Sequence, residues 1–203
     1  MTDQRAEGRK GTGGTVAAAV TEVFAPQYVA IAMPPVVGLL ADGWAGLAWG
    51  LLAAALCAGV PTAVIALGVR RGRLDSIHVV ERRSRKGPML AGFVAVVAGL
   101  AVLVLLDAPD MVVATAAVML GWVVVMGLIT LAWKISFHAG VSAGTVVVLA
   151  QVLPALPVLL AGAVVVAVIG WARVRVSHHT PAQVLVGAVT GAAVSAATLA
   201  ITT

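Results

Sequence analysis

Long apolar segments recur along this 203-residue chain, and they constrain its fold more than any other feature. Hydrophobic residues make up 61% of the sequence and charged residues only 10%, and the mean hydropathy is +1.08. An apolar segment of about 20 residues can cross a bilayer as a helix, and lipid offers the backbone no other hydrogen-bond partners. We therefore predict an all-α fold, a polytopic transmembrane bundle of six to seven helices, two of them short.

The apolar pattern divides the chain into residues 1–14, a flexible N-terminus, and residues 15–203, a single transmembrane domain. Pro154 and Pro157 each remove a backbone donor, so they predict a break between two short helices. Each short arm is roughly 21 Å long at 1.5 Å per residue, less than the bilayer core, so its polar end would lie below the membrane surface. The predicted helical segments are 27–41, 44–69, 88–106, 111–133, 139–152, 158–172 and 181–201.

Charge is distributed unevenly between the two ends of this predicted bundle. All 13 basic residues and all four histidines fall at one end, whereas Asp42, Asp107 and Asp110 fall at the other. The positive-inside rule then predicts a multi-pass plasma-membrane protein whose basic end is cytoplasmic. The rule does not require histidines, so a binding pocket at that end explains them better. Nucleic acid is excluded as a partner, because the basic residues are separated by apolar segments and aromatic residues make up only 4%.

Three polar clusters share the basic end: "DSIHVVERRSRKGP" (75–88), "WKISFHAG" (133–140) and "WARVRVSHHTPAQ" (171–183). Basic groups with histidines and few carboxylates suit an anionic, oxygen-rich ligand such as phosphate. The same composition argues against a carboxylate metal site and a paired-carboxylate hydrolase. A zinc site built from histidines alone is an alternative, but the arginines would repel the cation. We expect neither metal nor cofactor.

The second and third clusters resemble the type 2 phosphatidic acid phosphatase superfamily, which includes lipid phosphate phosphatases and vanadium haloperoxidases. Its third motif is Ser-Arg, five residues, His, three residues, Asp, and Arg173, His179 and Gln183 fit that spacing. Its second motif, Pro-Ser-Gly-His, is matched by Ser136 and His138. Its first motif, Lys, six residues, Arg-Pro, is matched loosely by "RRSRKGP". The resemblance covers about residues 75–195 and points to a divergent, small bacterial membrane branch.

The resemblance implies an integral-membrane phosphatase that acts on a lipid phosphate or diphosphate, such as a polyprenyl derivative, through a phosphohistidine. His179 would be the nucleophile, His138 would protonate the leaving oxygen and later activate water, and Arg173 would hold the phosphoryl oxygens. The remaining candidates for substrate binding are Arg82, Arg85, Lys86, Ser136, Lys134 and His178.

The departures from the family pattern define the alternatives. Gln183 stands where the family has aspartate; its carbonyl can accept from Nδ1–H of His179 and leave Nε2 as the nucleophilic atom, but it cannot stabilise an imidazolium as a carboxylate does. Ala172, Ile135 and Phe137 replace the usual serine, proline and glycine. A non-catalytic protein that binds anionic lipid or scaffolds a partner is therefore one alternative, and a small lipid or anion transporter is another.

Overall fold

The computed structural model describes residues 12–71 and 86–203, which are mainly helical and contain no strand. The predicted all-α class is confirmed. The helices are α1 (Thr12–Val23), α2 (Pro26–Ala54), α3 (Val60–Arg70), α4 (Lys86–Leu105), α5 (Asp110–Ala132), α6 (Phe137–Val152), α7 (Ala155–Arg175) and α8 (Pro181–Thr202).

Helix α2 reverses its direction in the middle and forms a tight hairpin. Its backbone leaves the helical conformation at Asp42 (φ −130°, ψ 18°) and Gly43 (φ 63°, ψ −144°), and the latter conformation favours glycine. A Cβ atom on Gly38 would collide with the carbonyl of Gly46 in the opposite arm. The predicted separation of segments 27–41 and 44–69 is therefore confirmed.

The second arm of this hairpin continues into α3 through one π-helical turn, Ala55–Gly59. Pro61, two residues after this turn, has no N–H to donate to the carbonyl four residues earlier, so the regular helical pattern is interrupted here. The turn carries Cys57, the single cysteine of the chain, on its buried side.

The described helices are apolar enough to form a membrane protein. Four stretches are both long and apolar enough to cross a bilayer, and two shorter helices are also apolar. The long stretches are Pro26–Arg70, which includes the reversal at Asp42 and Gly43, Asp110–Ala132, Ala155–Arg175 and Pro181–Thr202. The shorter ones are Met89–Leu105 and Phe137–Val152.

One predicted length is wrong. Helix α7 has 21 residues, Ala155–Arg175, rather than the short arm 158–172. Pro154 is its N-cap and Pro157 lies in its first turn, where a backbone N–H has no helical partner to lose. Of the two arms predicted to be short, α6 is the shorter, with 16 residues.

Helices α6 and α8 form the most extensive pair among the described helices. They approach closely because glycine lies at the contact: a Cβ atom on Gly191 would overlap the backbone of Gly140, and one on Gly187 would crowd the Ser136 carbonyl. Gly187 and Gly191 therefore serve packing between helices of the same chain. This contact fixes the first turn of α6 against the first turns of α8, where two of the predicted site clusters lie.

A candidate anion site at the helix ends

A cavity of about 260 Å³ opens at the end of the bundle where α2, α4 and α6 begin and α5 and α7 end. Five predicted site residues line it together: Lys134, His138, Arg173, His178 and His179. They come from two sequence clusters that are far apart in the chain. The structure thus brings these two clusters together. Two of their predicted site residues, Ser136 and Gln183, do not line the cavity.

The cavity is cationic at one side and apolar over the rest of its wall. Its described lining residues include Lys134 and Arg173 but no aspartate or glutamate. Arg173 is only 4% exposed, and a permanently charged guanidinium at such depth favours an anion beside it. The apolar wall includes Ile65, Val96, Met119, Trp122, Phe137 and Val141.

The end of α7 turns sharply and places both histidines above Arg173. Ser177 has a left-handed conformation with φ 58°, and its amide donates to the Val174 carbonyl at 2.9 Å while the amide of His178 donates to the Arg173 carbonyl at 3.2 Å. This pair of bonds is a Schellman motif, which satisfies carbonyls that a helix end leaves unpaired. The amide of His179 reaches the same Arg173 carbonyl at 3.3 Å.

Helix α8 begins immediately afterwards, and its capping box orients His179. Thr180 is the N-cap, its hydroxyl accepts from the amide of Gln183 at 3.3 Å, and its own amide donates to Oε1 of Gln183 at 3.2 Å. Because an amide N–H can only donate, the side-chain atom it meets must be the oxygen. The same Oε1 lies 3.2 Å from Nδ1 of His179.

The protonation of His179 follows from this arrangement. An oxygen acceptor at Nδ1 requires that Nδ1 carry the hydrogen, so in the neutral ring Nε2 holds the lone pair. The predicted contact between Gln183 and His179 is therefore present, and Gln183 acts on the cavity through His179 rather than by lining it.

His138 lies in the first turn of α6 and is 4% exposed. Its Nε2 atom is 3.2 Å from the carbonyl oxygen of Thr21, near the end of α1. Ser136 precedes it as the N-cap of α6, and its hydroxyl accepts from the amide of Ala139. The structure therefore gives the Ser136 hydroxyl a capping role, and Ser136 does not line the cavity.

The first predicted cluster lies largely beyond the described residues. Arg82 and Arg85 are outside them, as is the side chain of Lys86, whose backbone begins α4. Met89, one residue beyond this cluster, lines the cavity. The chain thus enters the bundle beside the site when it leaves the first cluster.

Sequence reasoning missed the contribution of the N-terminal region. Gln27 lines the cavity at the start of α2, and Thr21 supplies its carbonyl to His138. An amide side chain at the edge of an apolar segment was a signal for Gln27. A backbone carbonyl has no signature in the sequence, so Thr21 could not be found in this way.

A second, wholly apolar groove of about 370 Å³ lies between α4 and α5. Met89 and Val123 line both this groove and the cationic cavity, so the two are adjacent. Leu128 in the groove is 64% exposed, on a helix face that none of the described residues covers. The groove therefore joins the site to the apolar exterior of the bundle.

Comparisons with protein-family models, with curated proteins and with solved structures found no match. Within residues 12–71 and 86–203, no three His, Cys, Asp or Glu side chains form a group that could hold a metal ion.

Proposed function

We propose that this chain is an integral-membrane lipid phosphatase that hydrolyses a lipid phosphate or diphosphate through a phosphohistidine. The observation that carries the proposal is the arrangement of His179. Its Nδ1 atom is held by Gln183, which leaves the Nε2 lone pair for attack, and it shares a cavity with the buried Arg173. Phosphoryl transfer through a phosphohistidine needs an oriented nucleophile and a cation that stabilises the charge on the phosphoryl oxygens.

The proposed reaction has two steps, and the residues of the cavity would supply its nucleophile, its acid and its base. In the first step Nε2 of His179 forms a bond to phosphorus, the ester P–O bond breaks, and His138 gives a proton to the leaving oxygen. In the second step water attacks the phosphohistidine, His138 takes a proton from that water, and the P–N bond breaks to release inorganic phosphate. Arg173, with Lys134 and His178, would stabilise the negative charge on the phosphoryl oxygens in both steps.

The apolar surroundings of the site support a lipid substrate. A cavity that is cationic on one side and apolar on the other fits a phosphate joined to a hydrocarbon chain, and the adjoining groove can receive more of that chain. Among such lipids we favour polyprenyl phosphates and diphosphates or their derivatives. We place the protein in the plasma membrane, with its site on the cytoplasmic face, because the basic residues of the sequence gather at that end.

Phosphate release in detergent tests the proposal. The panel comprises prenyl diphosphates, phosphatidate and phosphatidylglycerol phosphate, assayed with the unaltered protein, His179→Ala and the neighbouring His178→Ala. We expect release by the unaltered protein, its abolition in His179→Ala, and a partial loss in His178→Ala. Acid-labile label retained on the protein from a ³²P-labelled lipid, and absent in His179→Ala, would identify the phosphohistidine. No release from any lipid, or full activity in His179→Ala, would contradict the proposal.

A lipid-binding protein without catalysis is the second candidate, because the carbonyl of Gln183 stabilises an imidazolium less than a carboxylate does. That candidate predicts saturable binding of these lipids with no phosphate release, and a loss of binding in Arg173→Ala. The same panel separates the two functions.

A further inference from the structure

Helix α1 is docked against the body of the bundle beside the candidate site. It packs on α7, and its buried face carries Ala17 (0% exposed) and Thr21 (6% exposed) one turn apart. Ala18, the next residue, is exposed. The docking of α1 therefore depends on a narrow stripe of small side chains.

The end of α1 presents a carbonyl to His138. In an uninterrupted helix the Thr21 carbonyl would accept from the amide of Ala25, but that amide donates to the Glu22 carbonyl at 3.2 Å. The Thr21 carbonyl instead lies 3.2 Å from Nε2 of His138. A carbonyl at a helix end is left without a helical donor and carries the negative end of the helix dipole, so it is a good acceptor for an imidazole N–H.

We propose that α1 is a positioning element of the reaction: its Thr21 carbonyl holds His138 with a hydrogen on Nε2, so that Nδ1 exchanges protons with the substrate. The inference rests on the proposed function. A carbonyl can only accept, so the hydrogen at Nε2 is fixed and only Nδ1 changes its protonation. The Nδ1 proton passes to the leaving oxygen as the P–O bond breaks, and Nδ1 recovers a proton from the attacking water in the second step.

The two histidines would then work through opposite nitrogens. His179 is held at Nδ1 and attacks through Nε2, whereas His138 is held at Nε2 and exchanges protons at Nδ1. In each case the held nitrogen contacts a neutral oxygen at a helix end, the Thr21 carbonyl or Oε1 of Gln183.

A comparison of leaving groups tests this role, because an alkoxide needs a proton to depart and a 4-nitrophenolate does not. We compare kcat/KM for an alkyl phosphate and for 4-nitrophenyl phosphate, since kcat/KM reports the step in which the leaving group departs. The variant is Ala17→Trp, which overpacks the buried stripe of α1, and the matched control is Ala18→Trp on the exposed face. His138→Ala gives the reference pattern for loss of the acid.

We expect Ala17→Trp to lower kcat/KM about 100-fold for the alkyl ester and less than about threefold for the aryl ester, as general-acid catalysis predicts. His138→Ala should share this selectivity, and Ala18→Trp should change neither value. The retained aryl turnover shows that the rest of the site is folded.

Equal losses on both esters in Ala17→Trp, or no loss on either, would refute the positioning role while the proposed function stood. A rise in activity would show that α1 restrains His138, and it would also refute the role. Absence of hydrolysis of any ester by the unaltered protein would refute the proposed function, and this inference with it.

Discussion

The oxygen of Gln183 serves two donors, and replacing it should separate helix stability from catalysis. Oε1 accepts from the amide of Thr180 and from Nδ1 of His179, each at 3.2 Å. Gln183→Leu removes both bonds. Loss of the capping interaction should cost about 1 kcal/mol of stability. Loss of the orienting bond should lower kcat/KM about 10–100-fold, the usual effect of removing a partner that orients a functional histidine, which corresponds to about 1.4–2.7 kcal/mol of activation free energy.

Thr180→Ala is the matched control, because it removes the other half of the same capping box. The Thr180 hydroxyl accepts from the amide of Gln183, whereas the Thr180 amide still holds Oε1 in place. We expect this variant to lose about 1 kcal/mol of stability while kcat/KM stays within about threefold. Thermal unfolding in detergent and phosphate release measure the two effects separately.

Gln183→Glu completes the series, since it keeps the shape of the side chain and adds a charge. A carboxylate at this position of α8 is favourable by about 0.3–1 kcal/mol near a helix N-terminus. It also favours the protonated ring of His179, so the pH below which activity falls should rise, and the rate above that pH should be kept or increased. Equal activity losses in Gln183→Leu and Thr180→Ala, or full activity in Gln183→Leu, would refute the orienting role of Gln183.

Three further predictions follow from the packing. Gly191→Ala should destabilise the protein by about 1–3 kcal/mol in thermal unfolding, because its Cβ atom would overlap the α6 backbone; a neutral effect would mean that the helices can separate freely. Trp122→Phe should cost about 1 kcal/mol by the same measurement, because the indole N–H donates to the Ser195 hydroxyl at 3.0 Å. Leu128→Trp should fill the α4–α5 groove and lower kcat/KM more for long-chain than for short-chain lipid phosphates. The control is Leu160→Trp, because Leu160 is 62% exposed and Leu128 is 64% exposed. Equal effects of the two variants on the long-chain substrate would exclude the groove from substrate binding.

The sequence allowed most of the helical architecture to be predicted, because apolar length and helix-breaking residues are local properties. Asp42 and Gly43 interrupt an apolar run, and the chain does reverse there. Proline was less decisive. Pro154 and Pro157 break the chain once, at the start of α7, because a proline in a first turn removes no helical bond. A proline can end one helix or lie in the first turn of the next. Which of the two occurs depends on where the next helix begins, and composition alone does not determine that position.

The site was predictable where side chains carry its chemistry and spacing places them. His179 and Gln183 lie four positions apart at the start of a helix, so their contact follows from helical geometry. Gln27 and Thr21 were missed because their approach to the site results from the tertiary packing of α1 and α2. For Thr21 the group in contact is a main-chain carbonyl, which every residue possesses, so the residue type gives no signal.

The held nitrogens of His138 and His179 explain how a site with few carboxylates can still orient two imidazoles. A carboxylate partner fixes an imidazole and also adds a negative charge, which would oppose an incoming phosphate. The acceptors used here, the Gln183 amide oxygen and the Thr21 carbonyl, are neutral. They fix the tautomers and add no negative charge of their own beside the phosphate. The cost is weaker stabilisation of an imidazolium, and a comparison with Gln183→Glu measures it. If the neutral acceptor has this effect, the unaltered protein should bind the phosphate more tightly than Gln183→Glu and carry out the chemical step more slowly.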